Sequence, residues 1–482
     1  MIFLDALREA GVLLPISMLK SKYKHGTFKD AMKAVDFLHG SAQKIWHIEP
    51  IMYMDSDLRN YKTISQFAID PIYADLDEFI NMGLLSTAEI FKLDEEAEKK
   101  FDAHDKELIK TEKIKALRLV YKRAYQDFTK EAIYQEFIKE NEYWLKDFAL
   151  FMTIYNKKNS FEDFSEEEIN INKYKDNLDA DIEEEEAKFQ EFLQFLLYRQ
   201  YLKLKNYANN LGVKILCDLS FYLNEFSSDA WAKKDYFEVD NKLRPLNYAI
   251  KAIEEDKDLN KIDKRLVYSF DFIAFDSYEY IKEKYGYYSK LFDYIRLVDI
   301  EDYETTIKVD AKTMDLGTIS ADKNPIEEIF AVLKENDIID KVFTDYIRCN
   351  SKIIKKIMKE GKVFESKTIQ DAFDINADEK SLPLNLDKTT VYYSSDFDMK
   401  ELDKYLNSSS DMKLRIEDYT MKKNFTTLDI VERMYSSNAS KVIIAIWDLL
   451  DDVNKRTREL DLDEIKHKLE TILKQYMVQF LR

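Results

Sequence analysis

Glycine and proline are scarce, eight and six in 482 residues, too few for a flexible interdomain linker, and no internal repeat divides the chain. Cysteine is scarcer still. Cys217 and Cys349 have neither metal-ligand nor redox spacing and are expected to be two reduced, packed thiols. The five histidines are scattered, so no metal site is expected. Positive charge is in deficit. With 73 Lys and Arg against 92 Asp and Glu, the formal net charge is -19, which argues against a general nucleic-acid binder and against adhesion to an anionic membrane. No apolar run reaches the length of a membrane span, and the opening "MIFLDALREAGVLLP" sets Asp5 and Glu9 inside what a signal peptide would keep apolar. The reading is therefore cytoplasmic.

What the chain has is a large apolar and aromatic content. Hydrophobic residues make up 45%, and 31 Tyr and 30 Phe dominate the aromatic 13%, enough for a sizeable core and against intrinsic disorder. Short apolar runs read as strands at Val12–Leu14, Ile45–Ile48, Val213–Leu219, Tyr294–Val298, Lys341–Asp345, Ser366–Phe373, Thr389–Ser394 and Lys441–Trp447. Helix-like segments separate most of them. Strand–helix alternation means parallel pairing with right-handed crossovers, and eight such units predict an α/β fold, a single (β/α)8 TIM barrel spanning 1–482. The long span between the second and third strands predicts an α-helical insertion over 86–205. Within it, Phe189, Phe192, Leu193, Leu196 and Leu197 share one helical face behind Glu183–Glu186, whose acidic run suits a helix start.

Five stretches occur in order: "GVLLPIS" at Gly11, "AVDFLHGSAQKIWHIEPI" at Ala34, "YKTISQFAIDPIYADLDEFINMGLL" at Tyr61, "ENEYWLKDFALFM" at Glu140 and "LGVKILCDLSFYLNEFSSDAWA" at Leu211. Together they resemble the amylomaltases, the 4-α-glucanotransferases or disproportionating enzymes of the α-amylase-like barrels. The resemblance covers most of the chain. It implies a (β/α)8 barrel with helical insertions after the second strand, and transfer of a 1,4-linked glucan segment by double displacement without a metal or other cofactor. A retaining mechanism of that kind uses an Asp nucleophile and a Glu acid/base whose carboxyl groups stand roughly 5–5.5 Å apart.

The resemblance also implies which residues to inspect, and several depart from the family pattern. The family's fourth strand ends Arg-Ile-Asp-His, with that Asp the nucleophile; here the letters are Arg296, Leu297, Val298 and Asp299. Valine takes the nucleophile's place. Asp299 is one residue late, and strand alternation would aim it at the opposite face unless a bulge turned it inward. "MDLG" at Met314 imitates the family's acid/base motif but comes too soon. An ungapped reading carries that motif to "TDYIR", so Asp345 replaces the Glu. Losing a methylene withdraws the proton donor by about a bond length, and a misplacement of about 1 Å can cost on the order of a hundredfold in rate. In "SSDFD", Asp396 matches the transition-state-stabilising Asp and Ser395 replaces a His. Asp218 and Tyr61 match substrate-contacting family residues, and Arg296 matches the family Arg, as a substrate ligand or in an ion pair with Asp345 or Asp218.

Two covering loops are altered. The "NYAIKAIEEDKDLNKIDKRLVYSFD" stretch from Asn247 lacks the family's Trp-containing Gly/Pro-rich loop and reads as charged helix. "DDVNKRTRELDLDEIKHKLETILKQYM" from Asp451 also reads as helix in place of a Gly-rich loop. Two function classes follow. The first is a binding, scaffold or regulatory protein that has lost catalysis and retains at most weak maltooligosaccharide or α-glucan binding, with a protein partner. The second is an active 4-α-glucanotransferase, or a hydrolase, that uses a re-aimed Asp299 or a single displacement through Asp345 and Asp396.

Overall fold

The computed structural model describes residues 8–54, 63–90, 106–158, 161–176, 182–250, 264–345, 351–373, 381–397, 402–450 and 459–480. Twelve strands run along the chain: β1 (Glu9–Leu13), β2 (Ile45–Ile48), β3 (Lys214–Ser220), β4 (Asn247–Ala249), β5 (Arg265–Leu266), β6 (Tyr294–Val298), β7 (Thr305–Asp310), β8 (Ser320–Lys323), β9 (Val342–Thr344), β10 (Phe364–Thr368), β11 (Thr390–Tyr393) and β12 (Lys441–Ala445). Eight of them close a parallel barrel in the order β1-β12-β11-β10-β9-β6-β3-β2. The expected TIM barrel is the observed fold. Most of its strands are apolar runs buried on both faces, as expected of parallel sheets covered by helices, while β10, Phe-Glu-Ser-Lys-Thr, is polar. Gly11 pairs with Ile45 where β1 and β2 approach closely, and a Cβ there would lie 2.4 Å from the Ile45 carbonyl oxygen.

The strand read over Ser366–Phe373 is shifted; β10 ends at Thr368. The cause is local. The Asp371 carboxylate accepts from the Thr368 N–H at 3.1 Å and its hydroxyl at 2.6 Å, and the Asp371 N–H returns to that hydroxyl, which closes a turn and ends the ladder.

Within 86–205 the described chain carries helices at Lys106–Phe128, Ala132–Glu140 and Glu142–Lys158, and a 29-residue helix at Ile182–Asn210. Phe189, Phe192, Leu193, Leu196 and Leu197 of the last are all buried, and Tyr121 and Phe128 pack edge-on against Phe192 at 5.5 Å. At its acidic start Glu186 takes a bidentate pair from Arg118. Further along, Tyr201 donates to the Leu291 carbonyl at 2.9 Å, just ahead of β6. Helical insertion and barrel share one continuous apolar core.

A second sheet, absent from the expectation, joins the connections that follow β3 and β6. It is antiparallel, ordered β5-β4-β7-β8, over a small apolar cluster of Tyr248, Ile250 and Val309. The helix read from Asn247 is therefore corrected at its described ends, which are β4 and β5; residues 251–263 lie outside the described residues. Pairing with β7 supplies hydrogen bonds that the local pattern did not announce. The helix read near the carboxyl end is present at Leu462–Phe480, while 451–458 lie outside the described residues, as do Tyr61 and Cys349. Cys217 is a buried free thiol. No described helix is long and apolar enough to cross a membrane.

Candidate active site

The carboxyl ends of β2, β3, β6 and β11 assemble a buried charge cluster. Asp218 and Arg296 are opposite one another across β3 and β6. Their side chains share the inward face, and the guanidinium binds the carboxylate in a bidentate pair with both distances 2.7 Å. The remaining guanidinium donors reach Asp396 at 2.7 and 2.9 Å. One cation thus holds two carboxylates. Arg296 also sits 5.1 Å over the Tyr393 ring centroid. His47 completes the group: Nε2 is 3.0 Å from Asp218 Oδ1 and Nδ1 is 3.2 Å from the Tyr393 hydroxyl. Nε2–H is the donor in the first contact, because a carboxylate can only accept. Burial opposes ionisation of Asp218, yet Arg296 and His47 hold its carboxyl well below the ordinary range. Burial likewise opposes the charge on Arg296, and Asp218 and Asp396 prevail to raise it. The Arg296 ion pair thus involves Asp218 and Asp396.

Val298 lies two residues beyond Arg296 on the same face of β6, beside Ser220 of β3. An isopropyl group therefore stands on the face of Arg296, at the position where the sequence resemblance leads one to expect a carboxylate. Asp299 follows neither the alternation nor a bulge. The strand ends at Val298, and Asp299 has φ +56°, so its direction is set by a left-handed turn. Its carboxylate stands 3.7 Å from Arg265, which also holds Asp302 at 3.2 Å.

Asp345, immediately after β9, accepts the backbone N–H groups of Asp299 at 2.7 Å and Ile300 at 3.2 Å. Withdrawal from water and the Asp299 charge push its carboxyl up to about 7, against the pull of those two donors. The ends of β6 and β9 are thus tied together by a carboxyl that burial holds partly protonated near neutrality.

Asp396 is fixed from behind. Asp448 accepts from the hydroxyls of Ser394 and Ser395, both at 2.6 Å, and from the Leu402 N–H at 2.8 Å; Ser395 in turn accepts from the Trp447 indole at 2.7 Å. The structure brings together Asp218, Arg296 and Asp396 in one cluster and Asp299 with Asp345 in another. Sequence reasoning missed His47, Tyr393, Arg265 and Asp448. A histidine inside the apolar strand "IWHI" was the one available signal. Among the described residues no group of three His, Cys, Asp or Glu side chains is arranged to hold a metal ion.

A parallel eight-stranded barrel with carboxylates and an arginine gathered at its strand ends is the architecture of enzymes that work from the βα loops. Residues 14–458 match the family profile described as 4-alpha-glucanotransferase, and the chain belongs to that family. The 4-alpha-glucanotransferase of Clostridium butyricum is 28% identical over 80% of this chain and 79% of its own. That of Aquifex aeolicus is 24% identical over 92% and 91%. The chain also shares its fold with the amylomaltase from Streptococcus agalactiae, solved in complex with acarbose, at a TM-score of 0.89 and 20% identity over 98% of this chain and 99% of that one.

Proposed function

We propose that the protein has lost glucan transfer and retains at most weak α-1,4-glucan binding at the barrel's strand ends, or acts as a cytoplasmic scaffold or regulatory protein. Val298 carries this reading. A covalent glycosyl intermediate needs a nucleophile on the inward face at that position, and an aliphatic side chain supplies none. The remaining polar groups are committed: Asp396 and Asp218 to Arg296, and Asp345 to two backbone donors. A carbohydrate ligand is supported by the family's name and by the acarbose held by the Streptococcus agalactiae protein. The unaltered protein should show no disproportionation of maltotriose above background at neutral pH, while Val298→Asp together with Asp345→Glu should gain activity.

A second reading, an active 4-α-glucanotransferase, is favoured over the first by the names of the Clostridium butyricum and Aquifex aeolicus relatives, both 4-alpha-glucanotransferase. It is also supported by the pairing of Asp299 with an Asp345 that keeps its proton up to about 7, the property asked of a general acid at neutral pH. Transfer by the unaltered protein, stopped by Asp299→Asn, would establish this reading and remove the first.

A further inference from the structure

The helix Lys352–Gly361, which follows β9 in the chain, reads "KIIKKIMKEG" and is followed by Lys362. Ile354 and Met358 are buried against the body of the protein, while Lys352, Lys355, Lys356 and Lys359 are exposed. At i, i+3, i+4 and i+7 these four lysines form one outward stripe of about 15 Å when Lys362 is counted. In a chain of net charge -19 this is a local reversal of sign. Among the described residues, acidic groups beside it are Glu360 on the helix itself and Glu327, which pairs with Lys356 at 3.1 Å, while Lys355 has a contact of its own; both partners of the Lys356–Glu327 pair are more than half exposed, so that contact is exchangeable. Ile353 is an exposed apolar residue at the flank of the stripe.

We propose that this face docks an acidic, helical segment of a partner protein. Three features select that chemistry. The cations are all lysines, point charges without the planar fork that reads phosphate in a bidentate manner. Ile353 offers apolar area beside the charges, of use to an amphipathic helix and of none to a phosphate polymer. The stripe is short. A membrane or a long nucleic acid would extend past it and meet the acidic remainder of the surface, whereas a helix of about its own length stays within reach of the lysines, given a screening length of about 8 Å at physiological salt. This inference is independent of whether the barrel binds or transfers glucan.

The probe is a fluorescein-labelled 18-residue peptide with Glu at i, i+3, i+4 and i+7 and Leu along the adjoining edge, followed by anisotropy. Saturable binding is expected, weakened at least about tenfold by K352Q/K356Q/K359Q, since three exposed contacts of about 0.5 kcal/mol each sum to that factor. The K352R/K356R/K359R variant should retain it, and Lys130→Gln, an exposed lysine outside the stripe, should leave it unchanged. Far-UV circular dichroism of each variant should match the parent. Equal affinity for the parent and the Gln triple variant overturns the proposal. So does tighter binding of polyphosphate or phosphatidylglycerol vesicles through the same lysines. A salt-sensitive dimer in sedimentation that the Gln triple variant abolishes, with no peptide binding, would assign the face to a second copy and overturn it as well.

Discussion

Arg296 is the residue on which the interior charge depends. With its side chain 3% exposed, it neutralises a fully buried Asp218 and a partly buried Asp396. Arg296→Ala should cost about 3–5 kcal/mol in urea unfolding, because it strands carboxylates rather than merely losing a contact. Arg296→Lys should recover only part of that, since an ammonium cannot span both partners in bidentate fashion. Acid and neutral pH act on different groups. Asp218 has a depressed folded value, so its stabilisation is present above the unfolded value of about 3.9 and is lost as pH falls through the folded one. Asp345 is the reverse: raised to about 7, it retains a proton that the unfolded chain releases at about 3.9, so its contribution declines as pH rises from about 4 to about 7. Asp345→Asn should therefore compare better with the parent at pH 8 than at pH 5 in denaturant titrations. The residues that motif spacing could indicate are those on strand ends with a recognisable neighbour, such as Arg296 and Asp218. Tyr393 and Asp448 had no such mark, because their partners, His47 and the Ser394–Ser395 pair, become neighbours only when the barrel closes.

At the scale of elements, β6 was legible to the residue because Tyr294–Val298 is, apart from Arg296, an apolar and partly β-branched run bounded by charge. The antiparallel sheet was not. β8 is exposed along its whole length and β5 has two residues, so neither carries the burial pattern by which a strand is read from sequence. Its strands exist through pairing partners, β4 with β7 above all. The contact between β1 and β2 gives an element-scale test. Gly11→Ala would drive a Cβ into the Ile45 backbone, where nothing flexible can yield, and should destabilise the fold by about 1–3 kcal/mol, read as a lowered Tm with the circular dichroism spectrum retained.

For the whole molecule, composition foretold a large core and alternation foretold a barrel, because both depend on many residues at once and tolerate local error. The same chain carries 19 excess negative charges, whose mutual repulsion is relieved by dissolved salt. Raising sodium chloride from 20 to 300 mM should lift Tm by roughly 1 °C, since about 1 kcal/mol is spread over an unfolding entropy of about 1 kcal/mol/K in a chain of this size, and differential scanning calorimetry would register it.

The 29-residue helix Ile182–Asn210 has a mechanical implication. At about 1.5 Å per residue it is a rod on the order of 40 Å long, gripped by aromatic rings at Phe192 and, about 13 Å further along, tethered through Tyr201 to the carbonyl of Leu291, just before β6. A rod held at two points transmits tilt. A force that rocks the helical insertion would be delivered as a displacement at the root of the strand that carries Arg296 and Val298. Breaking the tether with Tyr201→Phe should let amides of β6 exchange with deuterium faster while those near Phe192 keep the parent's protection.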